Sequence, residues 1–266
     1  MKNIKDLKQF VAQRINYNLT VSRGTRSVKI PVTAGIGRAN LDAHEEHVGV
    51  VIERLYTPGR LLVDIGVNIG QTLIKFSLIA GNECRYIGFE PNIIAARYVE
   101  NLIHCNQMTR ATIVPVALGG DDRLTRLLVT SPGSADPGAS INDNIRDDSF
   151  YGASRLVPVF RADVAFESLG ITEMNFLAKI DVEGAELEVI RGMSNTLRTL
   201  RPFVIMEILP PSDFSDKVNI FRLHQAEEIK RTMRDFGYAI ARIGRNGELD
   251  GGDPTHDYLF SPMDVS

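Results

Sequence analysis

Four acidic residues carry the chemistry that can be read from this chain: Asp64, Glu90, Asp181 and Glu183. Each comes at or just beyond the end of a short apolar run that suits a buried strand: LLV before Asp64, YIGF before Glu90, and LAKI before Asp181, with Glu183 in the turn that follows. A carboxylate at such a place attracts an ammonium, accepts from a pair of hydroxyls, or takes a proton from an acceptor.

Asp64 opens a strand, a glycine turn and a helix start in LLVDIGVNIGQTLIKF, residues 61–76. Gly66 and Gly70 allow backbone angles and a close ligand approach that a Cβ would obstruct, and Asn68 tolerates a left-handed conformation. The free N–H groups of the helix start face whatever sits on the turn. The pattern DxGxNxG puts an acid where the dinucleotide fingerprint GxGxxG has its first glycine, and a carboxylate is a poor neighbour for pyrophosphate. An amino acid zwitterion joined to a nucleoside fits better: Asp64 attracts the ammonium and the helix N–H groups take the carboxylate. S-adenosylmethionine has that shape. Glu90 lies 20 residues beyond Gly70, the interval at which an acid meets ribose hydroxyls in such folds. Ala117 is small enough for an adenine ring to lie close.

The elements that must hold these residues alternate. After a helix in AHEEHVGVVIERL, ending at Leu55, the spacing gives strands at residues 61–63, 85–91, 111–120, 177–180 and 202–208, with helices between them. Such alternation indicates an α/β fold with a mostly parallel sheet and helices on both faces, whose ligands bind at the carboxyl ends of the strands. Asp64, Glu90, Asp181 and Glu207 collect at that edge. A helix over residues 222–236, then strands in YAIARI and DYLFSP, complete the pattern. Upstream, Ile4, Leu7, Phe10, Val11 and Ile15 fall at helical spacing, SVKIPV reads as a short edge strand, and TAGIGRAN as a loop. The expected division is an N-terminal extension, residues 1–43, and one domain, residues 44–266, carrying an insertion at about 121–164 rich in glycine, proline and serine. The insertion suits a lid or a substrate wall. The N-terminal helix would cover the domain or a second copy of the chain.

With 266 residues and 44% hydrophobic content the chain can bury one large core. A net charge of −3 gives no global reason to bind nucleic acid or anionic membrane, and no run approaches the roughly 20 apolar residues of a membrane span. Cys84 and Cys105 lack CxxC spacing and read as reduced thiols of a cytoplasmic protein. His44 and His47 lack HExxH spacing and the clustered acids form no adjacent ligand pattern, so no metal is expected, and His224 would serve as a base only if its helix lay over the pocket.

DIGVNIG, GFEP and KIDVEGAELEVIRG, in this order, resemble the FkbM family of S-adenosylmethionine-dependent methyltransferases, in layout over residues 45–262. The resemblance implies a Rossmann-like class I methyltransferase fold, with a mostly parallel seven-stranded sheet whose last strand is antiparallel. It further implies O-methylation of a small-molecule hydroxyl, often on a sugar, glycan or natural product. Position by position, Asp64, Gly66, Asn68 and Gly70 would hold the methionine portion, Glu90 the ribose and Ala117 the adenine side, with Asp181 beside the methyl donor. Glu183 is the candidate general base, with Asp181 its companion. An NAD(P)-dependent oxidoreductase and a noncatalytic ligand-binding domain of the same fold are the rival readings.

Overall fold

The computed structural model describes residues 16–41, 45–213 and 215–263. The N-terminal helix expected around Ile4 to Ile15, with any role in pairing two copies, and His44 lie outside them.

The described chain opens on a hairpin of β1 (Tyr17–Arg23) and β2 (Arg26–Val32), antiparallel from Tyr17↔Val32 to Arg23↔Arg26. Only the second strand was legible, because β1 alternates half-buried and exposed positions and keeps no fully buried residue. Val28 and Ile30 sink into the core, and the Tyr98 hydroxyl donates to the Pro31 carbonyl at 2.8 Å. Asn106 closes the seam, accepting from Lys29 N and donating to its carbonyl, each at 2.7 Å.

The alternating part follows as α1 (Glu46–Leu55), β3 (Leu62–Ile65), α2 (Gln71–Ala80), β4 (Tyr86–Phe89), α3 (Ile93–Cys105) and β5 (Ala111–Val114). After it come β6 (Ala117–Gly119), β7 (Arg123–Val129), β8 (Ala153–Arg161) and α4 (Ala162–Ser168). The last third holds β9 (Leu177–Ile180), α5 (Glu186–Gly192), α6 (Ser194–Thr199), β10 (Phe203–Glu207), α7 (Asp216–Asp235), β11 (Tyr238–Gly244) and β12 (Pro254–Pro262).

Seven strands form the main sheet in the order β11-β12-β10-β9-β3-β4-β5, parallel except for β12, which is antiparallel to both neighbours. This is the expected Rossmann-like arrangement. Successive strand residues point to opposite faces, so Leu62 and Ile205 join the layer with α1, α2 and α3, whereas Val63, Val204 and Met206 join that with α4 to α7. Burial on both faces explains the unbroken apolar runs that made these strands readable.

Three expectations are corrected. Residues 111–120 are two strands: Pro115 has no N–H to give a ladder, and after it β6 leaves the main sheet to pair with β8. With β7 they make a separate three-stranded sheet, and β8 runs directly into α4, a helix absent from the sequence reading. The helix expected between the strands at residues 177–180 and 202–208 is two. Gly192 packs against β6 so closely that a Cβ would lie 1.8 Å from the Gly119 carbonyl, and Asp163 accepts from Asn195 N and Thr196 N, starting a new helix there. Finally, α7 begins at Asp216, six residues before the expected start at Arg222.

Candidate active site

The strand ends form a cavity above the centre of the sheet, between the β3 turn, the β9 turn and the insertion. Its first wall is the turn after β3. Gly66 has φ 91° and its Cβ, if present, would lie 1.7 Å from the Asp181 carbonyl, so the turns after β3 and β9 nearly touch. Asn68 takes φ 48°, the left-handed conformation expected of it, and its backbone N–H donates to Glu90 Oε2 at 2.7 Å. The other Glu90 oxygen accepts from Asn92 N, also at 2.7 Å, at the start of α3. Glu90 thus ties two strand-end loops together while facing the cavity, and burial raises its carboxyl to about 7 in spite of those N–H bonds.

Asp64 is placed differently from the expectation that the strand delivers it to a loop. It lies inside β3 and is fully buried, one residue too early to reach the turn. The Tyr86 hydroxyl donates to one of its oxygens at 2.6 Å, and the other has no partner among the described residues. Burial raises the Asp64 carboxyl to about 6. Gly70 also stays behind the wall, its absent Cβ making room for Leu102 and Val99. Gly66, Asn68, Glu90, Ala117, Asp181 and Glu183 line the cavity, whereas Asp64 and Gly70 support it from behind.

The second wall is acidic. Asp181, Glu183 and Glu207 each bring a carboxylate oxygen within 4.8 Å of the others. The cations beside this trio are Lys179, 2.7 Å from Asp181 Oδ2, and Arg146, 2.8 Å from Glu183 Oε2. Lys179 is buried in β9 and also lies 3.9 Å from Glu45. Glu183 sits at φ 52°, a conformation that costs a residue with a Cβ of order 1–3 kcal/mol and that the surroundings must enforce. They do: Ser140 Oγ donates to the Glu183 carbonyl at 2.7 Å, and Asn142 Nδ2 and Gln225 Nε2 each donate to the Gly184 carbonyl at 2.8 Å.

Two of those clamps belong to the insertion, which also lines the cavity with Asp136, Pro137, Ala139 and Ile141. The insertion is therefore part of the site. Lys179, Arg146 and Asp136 were not singled out from sequence. A lysine inside the apolar run FLAKI was a signal for the first; the other two sit in a loop without periodicity. His224 is exposed and does not line the cavity, and His47 is engaged by Asp257 at 2.6 Å.

Glu186, buried at the start of α5, accepts from Gly184 N at 3.0 Å and Val182 N at 3.3 Å, fixing the same turn from below. Burial raises it to about 7 from an ordinary 4.5. Acids raised in the folded state hold protons that the unfolded chain has released, so stability falls as pH climbs from the unfolded value to the folded one. The melting temperature of the ligand-free protein is expected to decline between about pH 5 and pH 7.5, following Glu90 and Glu186. A temperature that rises over that interval would contradict the burial of these two carboxyls.

The Methyltransferase FkbM domain matches residues 64–240, which span both walls of the cavity. The chain belongs to the FkbM methyltransferase family. As a member of it, the protein is a methyltransferase. It is similar to the hexuronic acid methyltransferase AglP of Haloferax volcanii, at 29% identity over 187 residues, 68% of this chain and 70% of that protein. Among solved structures it is similar to an FkbM methyltransferase from Methylobacillus flagellatus KT, with 17% identity and a TM-score of 0.47. That match covers 76% of this chain and 43% of the other, so the chain spans less than half the length of that protein. It is also similar to the Bacillus cereus O-methyltransferase crystallised with SAH, at 11% identity and a TM-score of 0.45, covering 84% of each chain. Among the described residues of this FkbM protein, no helix is long and apolar enough to cross a membrane.

Proposed function

We propose that this FkbM protein transfers the methyl group of S-adenosylmethionine to a hydroxyl of a carbohydrate or related natural product. Residues 44–266 carry the activity and residues 1–43 extend it. The observation that supports this reading most strongly is the charge of the cavity wall. Six carboxyl residues line it, Glu45, Glu90, Asp136, Asp181, Glu183 and Glu207, against one cation, Lys179, which Asp181 and Glu45 already occupy. Such a wall favours a cationic donor and offers oxygens to the hydroxyls of a polyol, and its lining residues leave no unoccupied cation for an anionic acceptor group. AglP is named for action on hexuronic acid, a sugar; here the carbohydrate class is carried over, and the wall favours a hydroxyl over a carboxylate as the group methylated.

The residues fit the donor. The free Oδ1 of Asn68 and the first N–H groups of α2 suit the amino acid portion, while Asp64 holds the turn from behind and Gly70 lets the helix start close against α3. Glu90 keeps lone pairs for the ribose hydroxyls beyond its two backbone bonds, and Ala117 leaves room for the adenine. When bound, the donor supplies a methyl carbon activated by its sulfonium. Asp181 and Glu183 then bring carboxylates to the acceptor side, with Glu183 orienting the acceptor hydroxyl from its fixed place on Arg146. Positioning of this kind accounts for much of the rate in a displacement at carbon.

Calorimetric titration with S-adenosylmethionine, S-adenosylhomocysteine and NADH tests the donor. Binding of the first two alone is expected, and binding of NADH alone would end this reading. Glu90→Ala is expected to weaken S-adenosylmethionine binding by about 10- to 100-fold, the loss of hydrogen bonds to a charged group, while unfolding remains cooperative. Unchanged affinity would remove the ribose role from Glu90. Methylation of neutral methyl hexosides, set against their uronic acid counterparts, tests the preference for an uncharged acceptor.

A further inference from the structure

Asp181 and Glu183 each spend an oxygen on a cation, Lys179 and Arg146 respectively. Glu207, the last residue of β10, does not. Among the described residues no N–H or O–H donates to its carboxyl and no cation lies within 4.0 Å of it, although it lines the cavity within 4.8 Å of both other acids. Its oxygens are therefore the ones in the trio with lone pairs aimed at the cavity and no protein group competing for them. Glu183, the base expected from sequence, is raised to about 7 by burial and by Asp181, but one of its oxygens is held by the Arg146 guanidinium, which offsets part of that rise.

We propose that Glu207 is the base of the reaction, releasing a proton to solvent when a sulfonium cation enters the cavity and taking one from the acceptor hydroxyl during transfer. This rests on the S-adenosylmethionine reading above. The electrostatics of the position are consistent with it. On the β9 side Glu207 faces Asp181, Glu183 and Lys179; on β12 it is paired in register with Asp257, which His47 of α1 engages. Glu45 stands across the cavity beside Lys179, and Arg146 and Arg222 reach the trio from the insertion and α7. Burial first, then Asp181, Glu183 and Asp257, hold the Glu207 carboxyl well above the ordinary range, and Lys179 offsets only part of this. These surroundings favour the protonated Glu207 carboxyl when no cation stands beside it. A positive charge entering the cavity favours the carboxylate and releases the proton.

The balance then closes. The acceptor O–H bond breaks and its proton passes to the Glu207 carboxylate; the new O–C bond forms to the methyl carbon while the electron pair of the old C–S bond stays on sulfur. A cation and a carboxylate have become a neutral thioether and a carboxylic acid, so the product leaves a cavity that is again uncharged at this position. The same exchange makes the site prefer donor over product without any contact that differs between them except charge.

The experiment is calorimetric binding of S-adenosylmethionine and S-adenosylhomocysteine at pH 7.5 in phosphate and in Tris, whose ionisation heats differ widely, so that the protons released on binding are counted. The two ligands differ in charge only at sulfur. The wild-type protein is expected to release close to one proton more with S-adenosylmethionine than with S-adenosylhomocysteine, and Glu207→Gln, checked by thermal unfolding, is expected to abolish that difference while Glu183→Gln keeps most of it. Equal proton counts for the two ligands in the wild type, or a difference that survives Glu207→Gln, would overturn the proposal while leaving the donor assignment standing. Failure of both ligands to bind would overturn the donor assignment, and with it this inference. On an acceptor that the wild type methylates, Glu207→Gln is expected to lower kcat by about 10²–10⁴-fold and to lose the rising limb of the pH profile.

Discussion

Gly66→Ala is expected to cost the fold about 3 kcal/mol or more and to abolish binding of S-adenosylmethionine. Two separate penalties combine. At φ 91° an alanine is strained whatever the space around it, and the added Cβ would lie 1.7 Å from the Asp181 carbonyl oxygen and 2.7 Å from its carbon. The collision is with backbone, so no rotamer change relieves it. Nor can the turns easily part, because Asp181 N donates to Ile65 O at 2.9 Å and Gly66 N donates to Phe89 O at 2.9 Å. Separation would unzip the ends of β3, β4 and β9 together. Gly59→Ala is the control: φ is 82° there, but nothing lies within 4 Å of the added carbon, so that substitution carries the strain without the collision. Denaturant unfolding of the two variants, with calorimetry on each, separates the terms. If Gly66→Ala is no less stable than Gly59→Ala and still binds the donor, the close approach of the two turns does not hold the site together.

That close approach is also where the sequence was most and least informative. The strand, glycine turn and helix at residues 61–76 were legible because burial on both faces of β3 forces a continuous apolar run and because few residues other than glycine and asparagine tolerate φ above zero. The same logic exposed Glu90 and the turn after β9. What stood one residue beyond reach was Asp64. A run of three apolar residues looks finished when an acid appears, yet Tyr86 supplies a hydroxyl from the neighbouring strand and lets the acid remain within the sheet. A partner contributed by another strand leaves no trace near Asp64 in sequence.

The insertion shows the other limit. Its glycine and proline content marked it as irregular, but nothing in it foretold that β8 would pair with β7 on one side and, on the other, with β6, the segment that leaves the main sheet after Pro115. Ser140, Asn142, Ile145 and Arg146 act on the turn after β9 through single hydrogen bonds and one steric contact, at separations of about 40 residues and without any periodicity. Periodic burial can be read from one chain of letters; a clamp built from isolated long-range contacts cannot. Glu207 was placed at the strand-end edge by its apolar run, but that no donor among the described residues reaches its carboxyl could not be read there.

Lys179→Met should destabilise the protein by about 3–5 kcal/mol at neutral pH, the cost of leaving a buried charge without its partner. Methionine matches the length of the lysine and fills the strand interior, so packing is largely kept and electrostatics dominate the change. Lys179 stands beside Asp64 across β3 and holds Asp181 at 2.7 Å, and these acids together raise its own proton affinity well above the usual value. Without it, Asp181 and Glu45 lose the ammonium beside them and the buried Asp64 loses the charge that offsets its burial, Lys75 being left to act on Asp64 and Glu45. The deficit should therefore shrink as pH falls and the acids take up protons, so denaturant unfolding at about pH 5.5 is expected to show a smaller loss than at about pH 8. Adding Asp181→Asn should recover part of the stability, since it removes the charge most directly orphaned. The donor offers a second reading of the same electrostatics. A sulfonium cation can replace some of the missing charge, so S-adenosylmethionine should raise the melting temperature of Lys179→Met by more than S-adenosylhomocysteine does, relative to the wild type. A loss that is independent of pH and indifferent to the charge of the ligand would mean that Lys179 serves packing alone, and that the acidic wall is balanced by something other than this buried amine.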